Sequence, residues 1–315
     1  MNARLLFILL LFTIGTLWYI IGYWRRKAGE AAFAAARLTE KSEERERYCR
    51  LAVMAGHREA CRMFCLLHPE RFDGHSPHKP FKLRGIRISF YGYYYPSRYN
   101  ALLNDEQRAF CHSIYQFKQG DIHGIEFFKT CMNALQLKKR PYHIMFMPCS
   151  NWIKYGQRFK RLDWYIGKHR QDLTSGLYDV DICDARESLH EAKGGEKRIL
   201  ERNYLITGKI KGKEIIIIDD VLTTGQSVVD YKEEIERCGG KVVAAIFYGK
   251  TLSMPSMLLV QIHVWGNHIA HIIKGEFYQF NLSSCIRQQN SLTAQFVSFS
   301  LSNLANIFYP PQFLQ

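Results

Sequence analysis

Glu214-Ile215-Ile216-Ile217-Ile218-Asp219-Asp220-Val221-Leu222-Thr223-Thr224-Gly225-Gln226-Ser227 is the stretch that decides the fold. Four consecutive isoleucines suit a strand buried on both faces, as in a parallel sheet. Two adjacent carboxylates then close the strand, at the edge where open α/β sheets bind ligands. A small, hydroxyl-rich turn follows, and Val228 to Cys238 reads as a helix stopped by Gly239-Gly240. Free amides at a helix start, beside Thr and Ser hydroxyls and a glycine, make a phosphate cradle. Strand, acidic pair, phosphate loop and helix together fit a ligand with a sugar diol and a phosphate. Helix capping alone would explain one Thr or Ser but not the acidic pair and the whole loop. The chain has no G-x-x-x-x-G-K-[ST] pattern, so a P-loop is not indicated. A receiver domain would have no use for Thr-Thr-Gly.

These residues resemble the 5-phosphoribosyl-1-pyrophosphate (PRPP) motif of type I phosphoribosyltransferases, a hydrophobic strand leading into Asp-Asp-Val-x-Thr-Thr-Gly-x-Ser/Thr. The resemblance implies an α/β, Rossmann-like parallel sheet, and PRPP with Mg²⁺ as ligands. It implies that Asp219 and Asp220 hold the ribose 2′ and 3′ hydroxyls and serve catalysis. It also implies that Thr223, Thr224, Gly225, Gln226 and Ser227 wrap the 5′-phosphate. Mg²⁺ would arrive on PRPP, with no protein ligand of its own assigned.

The likeness continues more loosely upstream. Tyr142 to Pro148 reads as a buried strand running into Pro148-Cys149-Ser150, where the family has a pyrophosphate loop. Within the family the chain is nearest to ComF-type competence and amidophosphoribosyltransferase-like proteins. Met147-Pro148-Cys149-Ser150 partly matches the ComF strand, and Arg158-Phe159 echoes its Arg-Gly-Phe segment, without the Asn-Gln that follows there. Arg202-Asn203 and Lys211-Gly212-Lys213 stand where the family has Arg-x-x-Asn and Gly-Lys, while the family's Thr-x-x-Gln and its zinc-binding cysteines are missing. Pro148, Cys149, Ser150, Arg198 and Arg202 are the residues expected at the pyrophosphate, with Lys193 a further cation. Cys149 has no evident base beside it, so a loop role is expected rather than a nucleophilic one.

Four segments are expected. Residues 1–28 form an anchor: Leu5 to Tyr23 carries no charge and is long enough to cross a bilayer as a helix. Arg25-Arg26-Lys27 follows, which favours a cytoplasmic location for everything downstream. A cleaved signal peptide is the alternative, but the apolar run is long for one. Residues 29–140 read as mostly helical, with a faint likeness to one tetratricopeptide-type helix pair. Within them, Phe72 to Asn100 holds one or two strands or a covering loop. Asp105 to Phe117 and Ile125 to Leu135 read as helices. Residues 141–276 form the phosphoribosyltransferase-like domain, with further strands at Lys241 to Tyr248 and Leu258 to Val264. Residues 277–315 are a tail whose only charged side chain is Arg287. It packs on its own domain, on a membrane surface or on another subunit, and a homodimer is one arrangement this allows.

The chain has 315 residues and a net charge of +14, a balance suited to polyanions: PRPP, anionic lipid or nucleic acid. Its nine cysteines form no paired framework, which favours free thiols in a reducing compartment. Cys49, Cys61, Cys65, His68, His75 and His78 invite a zinc reading, but the Cys-x3-Cys-x2-His spacing fits core thiols better. Tyr91 to Tyr95, beside Lys82, Arg84 and Arg87, invites base stacking. Aromatic strands without nucleic acid are common. Three functions follow: transfer of phosphoribose to a nitrogenous acceptor, non-catalytic sensing of PRPP or a nucleotide, or a ComF-like part in DNA uptake or processing.

Overall fold

The computed structural model describes residues 3–122, 124–182 and 203–273. The chain runs α1 (Ala3–Leu38), α2 (Ser42–Met54), α3 (Arg58–Leu67), α4 (Pro69–Asp73), β1 (Phe81–Leu83), β2 (Ile86–Tyr94), α5 (Asp105–Gln119) and α6 (Ile125–Leu135). It continues β3 (Tyr142–Phe146), α7 (Trp152–His169), β4 (Leu173–Ser175), β5 (Val180–Ile182), β6 (Tyr204–Ile206), β7 (Glu214–Leu222), α8 (Gln226–Arg237), β8 (Lys241–Thr251) and α9 (Met257–Ile273). Two compact units result. Unit 1 takes the described residues up to Phe72 and Met254–Ile273; unit 2 takes the described residues of Asp73–Ser253.

Unit 2 is built on a six-stranded sheet of order β1-β2-β8-β7-β3-β4. Every neighbouring pair is parallel except β1, which runs antiparallel to β2 at the edge. Ile215 to Ile218 are fully buried in the middle of this sheet, as a strand covered on both faces requires. The fold class expected from the isoleucine run is the one observed. Helices α5 and α6 pack on the β2–β8 side through an aromatic group in which Phe127 stacks on Tyr248 at 4.7 Å and Phe117 meets both edge-on.

The sheet begins earlier than Tyr142. β1 and β2 come from the stretch for which the sequence left strands or a covering loop open, and β2 pairs with β8 over most of its length. The expected helices at 105–117 and 125–135 and the strand at 142–148 appear as α5, α6 and β3. A separate two-stranded ribbon, β5–β6, stands beside the sheet. It is held at Asp179, whose carbonyl accepts from the Thr207 and Gly208 amides and whose carboxylate meets buried His143 at 2.6 Å.

In unit 1, α2 and α3 pack between α1 and α9 around Val53, Phe64, Val260 and Val264. Cys49, Cys61 and Cys65 lie in this core, and Cys49 donates to the Ala60 carbonyl. Leu258 to Val264, expected as a strand, is helical. Its apolar residues follow a helical period: Val260 and Val264 are buried while Leu258, Ile262 and Ile269 are exposed. Within the range read as 141–276, residues 254–273 therefore fold with the N-terminal helices. Helix α1 is long and apolar enough to cross a membrane. It continues without a break beyond Arg25-Arg26-Lys27, and Ala28, Ala32 and Ala36, one every four residues, are buried against unit 1.

Candidate functional site

β7 carries the acidic pair to the carboxyl edge of the sheet. Asp220 is buried and Asp219 half-buried, and each accepts a bond from the next backbone amide: Asp220 N–H to Asp219 Oδ1 at 2.8 Å, Val221 N–H to Asp220 Oδ1 at 2.6 Å. These bonds hold the two carboxylates in fixed orientations. Two cations complete the arrangement. Arg158 Nη1 lies 2.8 Å from Asp220 Oδ2 and 3.6 Å from Asp219 Oδ1, and Lys118 Nζ lies 3.3 Å from Asp220 Oδ2. Burial, and then the neighbouring Asp220 charge, push the Asp219 carboxyl well above its ordinary range; Arg158 and Lys118 pull it down.

The cations are placed by packing. Phe117 and Phe159, each one residue before or after a cation in the chain, are fully buried and meet at 6.0 Å. At the end of α5, Gly120 has φ +79°, and a Cβ there would stand 2.4 Å from the Gln157 carbonyl of α7. This close approach, possible only for glycine, brings Lys118 and Arg158 to one carboxylate. Lys118 was not singled out by the sequence. Arg158 was noticed only as a family echo, since nothing local in either helix shows that their cations converge.

After β7 the chain turns through Thr223 and Thr224, both exposed, into Gly225. Gly225 is the N-cap of α8 in the left-handed region, φ +78°, and a Cβ there would lie 2.3 Å from Leu83 Cδ2. Gln226 and Ser227 open α8, with the Gln226 amide toward Thr224 Oγ1 at 3.4 Å. The loop thus leads through buried Gly225 into a helix start at which Gln226 and Ser227 are exposed, where backbone amides have no partner within the helix. The β1–β2 hairpin reaches this loop. Its turn, Arg84-Gly85, has positive φ at both residues, as a two-residue hairpin turn needs. Arg84 Nη1 donates to Gln226 Oε1 at 2.6 Å. Arg84, which the sequence grouped with possible base-stacking tyrosines, therefore stands at the Thr223–Ser227 loop. Tyr93 and Tyr95 are buried, and Tyr91 packs among Phe110 and Tyr248.

Pro148, Cys149 and Ser150 follow β3, the strand next to β7. The Met147 amide donates to the Ile218 carbonyl, so this loop emerges beside Asp219 and Asp220. Asn203 Nδ2 donates to the Cys149 and Ser150 carbonyls at 3.2 and 3.4 Å. Burial pushes the Cys149 thiol up to about 12, which keeps it protonated and unreactive at neutral pH. Arg198, Arg202 and Lys193 lie outside the described residues.

The sheet edge thus gathers an acidic pair, a helix-start loop and a second loop from the adjacent strand. Residues 171–251 match the phosphoribosyl transferase domain. Within that phosphoribosyl transferase match lie β4 to β8, the acidic pair and the whole loop. A stretch of 57 residues is 42% identical to an orotate phosphoribosyltransferase from Sulfolobus acidocaldarius, covering 18% of this chain and 26% of that protein. The likeness therefore spans about a quarter of that relative's length. Lys118, Arg158, Arg84 and the Pro148–Ser150 loop lie upstream of the matched phosphoribosyl transferase segment.

Proposed function

We propose that unit 2 binds PRPP and transfers its phosphoribosyl group to a nitrogenous acceptor. The observation that carries this reading is the acidic pair of β7 leading directly into the α8 phosphate loop, inside a segment matching the phosphoribosyl transferase domain. Asp219 and Asp220 accept the ribose 2′ and 3′ hydroxyls. Residues 223–227 hold the 5′-phosphate, with the Arg84 guanidinium beside them. The Pro148–Ser150 loop, steadied by Asn203, faces the pyrophosphate.

In the reaction the bond from ribose C1 to pyrophosphate breaks, positive charge develops at C1 and the ring oxygen, and the acceptor nitrogen forms the new bond to C1. The carboxylates favour the cationic sugar. Arg158 and Lys118 stand where the departing pyrophosphate gains negative charge. Binding energy from the distant 5′-phosphate orients C1. Two carboxylates at the sheet edge are hard oxygen donors suited to Mg²⁺. Among the described residues no group of three or more His, Cys, Asp or Glu is arranged to hold a metal ion, so Asp219 and Asp220 are the residues that would face a Mg²⁺ ion brought in on PRPP. Bound Mg²⁺ supplies neutralisation of pyrophosphate charge.

In this reading the apolar half of α1 is a membrane anchor, and the Arg25-Arg26-Lys27 cluster favours a cytoplasmic location for the rest. A binding-only reading draws on another observation: Arg158 already occupies the acidic pair, as in a sensor that releases a cation when ligand enters. Calorimetry with PRPP and Mg²⁺, followed by measurement of pyrophosphate release across an acceptor screen, separates the readings. Binding with release supports the transferase, binding without release supports the sensor, and absence of binding overturns both.

A further inference from the structure

Unit 1 contains a cleft of about 460 Å³ lined by Arg50 of α2, Arg71 of α4, and His263, Asn267 and His271 of α9. The three α9 residues are spaced by four and so stack along one helix face. None of the five lining residues is acidic. Arg50 pairs through Nη2 with Glu46, and its buried Nε has no partner among the described residues. Glu46 is also 3.2 Å from His68 Nε2. Arg71 is exposed, with no ion pair to it among the described residues. His263 Nε2 is 3.0 Å from Asn267 Nδ2, and burial, then Arg71, then Arg50, push its pKa down. Among the described residues, the unpartnered Nε of Arg50, the Arg71 guanidinium and the Asn267–His263 pair thus face one space with no acidic residue in its lining.

We propose that this cleft binds a phosphate group. The forked N–H groups of Arg50 and Arg71 match phosphate oxygens, and Asn267 with His263 supplies further donors. The phosphate could come from two sources that share this chemistry: a phospholipid headgroup, accessible to a unit that carries α1, or a small soluble phosphate.

The test uses the full chain, ¹⁵N-labelled at histidine, in phosphatidylcholine nanodiscs, with the His263 signal assigned by His263→Gln. One arm adds inorganic phosphate; the other replaces part of the lipid by phosphatidic acid. The His263 signal should move in at least one arm. A response to phosphate alone identifies a soluble ligand, to phosphatidic acid alone a headgroup, and to both a site that reads phosphate from either source. Arg71→Gln should weaken the effect roughly tenfold or more, and its exposed position leaves the fold intact by circular dichroism. Gly225→Val should leave the effect unchanged, which separates it from phosphate held at the α8 loop. An unmoved His263 signal in both arms overturns the proposal, as does a response that survives Arg71→Gln at full affinity.

Discussion

Arg158 Nη1 sits 2.8 Å from Asp220 Oδ2, so the carboxylate read from the sequence as a ligand contact is already partnered within the protein. Arg158 is largely buried, with 16% of its side chain exposed. Removing one member of a buried ion pair costs about 3–5 kcal/mol because the other charge is left stranded. Lys118, also near Asp220, softens this for the acid side. Arg158→Met should therefore destabilise unit 2 by the lower part of that range, about 3 kcal/mol, read as a shift in urea midpoint at constant slope. A shift below half a kcal/mol would show the pair to be incidental.

The two carboxylates should separate binding from stability. Asp219→Asn combined with Asp220→Asn removes acceptors for the ribose hydroxyls worth roughly 1.5–3 kcal/mol at charged Asp220 and about 1 kcal/mol at protonated Asp219. PRPP affinity should fall by about a hundredfold or more in calorimetry, and unaltered affinity in a folded double variant rejects the diol assignment.

Asp219 alone predicts a pH signature. Its pKa is raised in the folded protein by burial and by Asp220. The folded chain therefore keeps a proton that the unfolded chain releases, and stability falls as pH rises from the ordinary carboxylate range toward the folded value. Below that range both states are protonated and the effect vanishes. Asp219→Asn should raise the melting temperature at pH 7 and have little effect near pH 3. Cys149, Arg158 and Lys118 remain in both proteins, so the difference isolates Asp219. Equal effects at both pH values would remove the burial argument.

Gly225 meets two constraints at once, a positive φ and the 2.3 Å approach to Leu83 Cδ2. Gly225→Val should abolish binding of PRPP and ribose 5-phosphate alike. Arg84→Gln should be milder, weakening both ligands about tenfold while leaving pyrophosphate affinity unchanged, because the guanidinium stands at the loop and not at the acidic pair. Equal weakening of pyrophosphate would place Arg84 elsewhere in the site.

Truncation should discriminate within α1. Deleting residues 1–27 removes exposed apolar surface and should give a protein that stays in solution without detergent and binds PRPP as before. Deleting 1–38 also removes Ala28, Ala32 and Ala36 from the unit 1 core. It should lower helical content well beyond the residues lost, measured by circular dichroism.

The parts of the molecule legible in the sequence were those whose signal is local. Ile215 to Ile218, the adjacent acids and the Thr-Thr-Gly turn each announce their conformation within a few residues. Gly239-Gly240 ends α8 where expected. What was not legible depends on contacts between distant segments. Lys118 and Arg158 meet at Asp220 only because Gly120 lets α5 touch α7. Arg84 reaches Gln226 only because a short hairpin adds to the far edge of the sheet. The Leu258 to Val264 misreading has a different origin: β-branched and leucine residues favour a strand locally, and packing of Val260 and Val264 on α2 and α3 overrides that preference.

Helix α1 passes from its apolar half into the buried seam of Ala28, Ala32 and Ala36 with only Arg25, Arg26 and Lys27 between Trp24 and Ala28. Three helical residues advance only about 4.5 Å. A tether of that length has no slack. Once the apolar half is embedded, unit 1 cannot swing out on a leash as a domain on a Gly/Ser linker does. Under the proposed anchoring, whatever its cleft meets would have to come to the bilayer surface, and tilting of α1 in the lipid would move unit 1 with it as a mast moves its fittings.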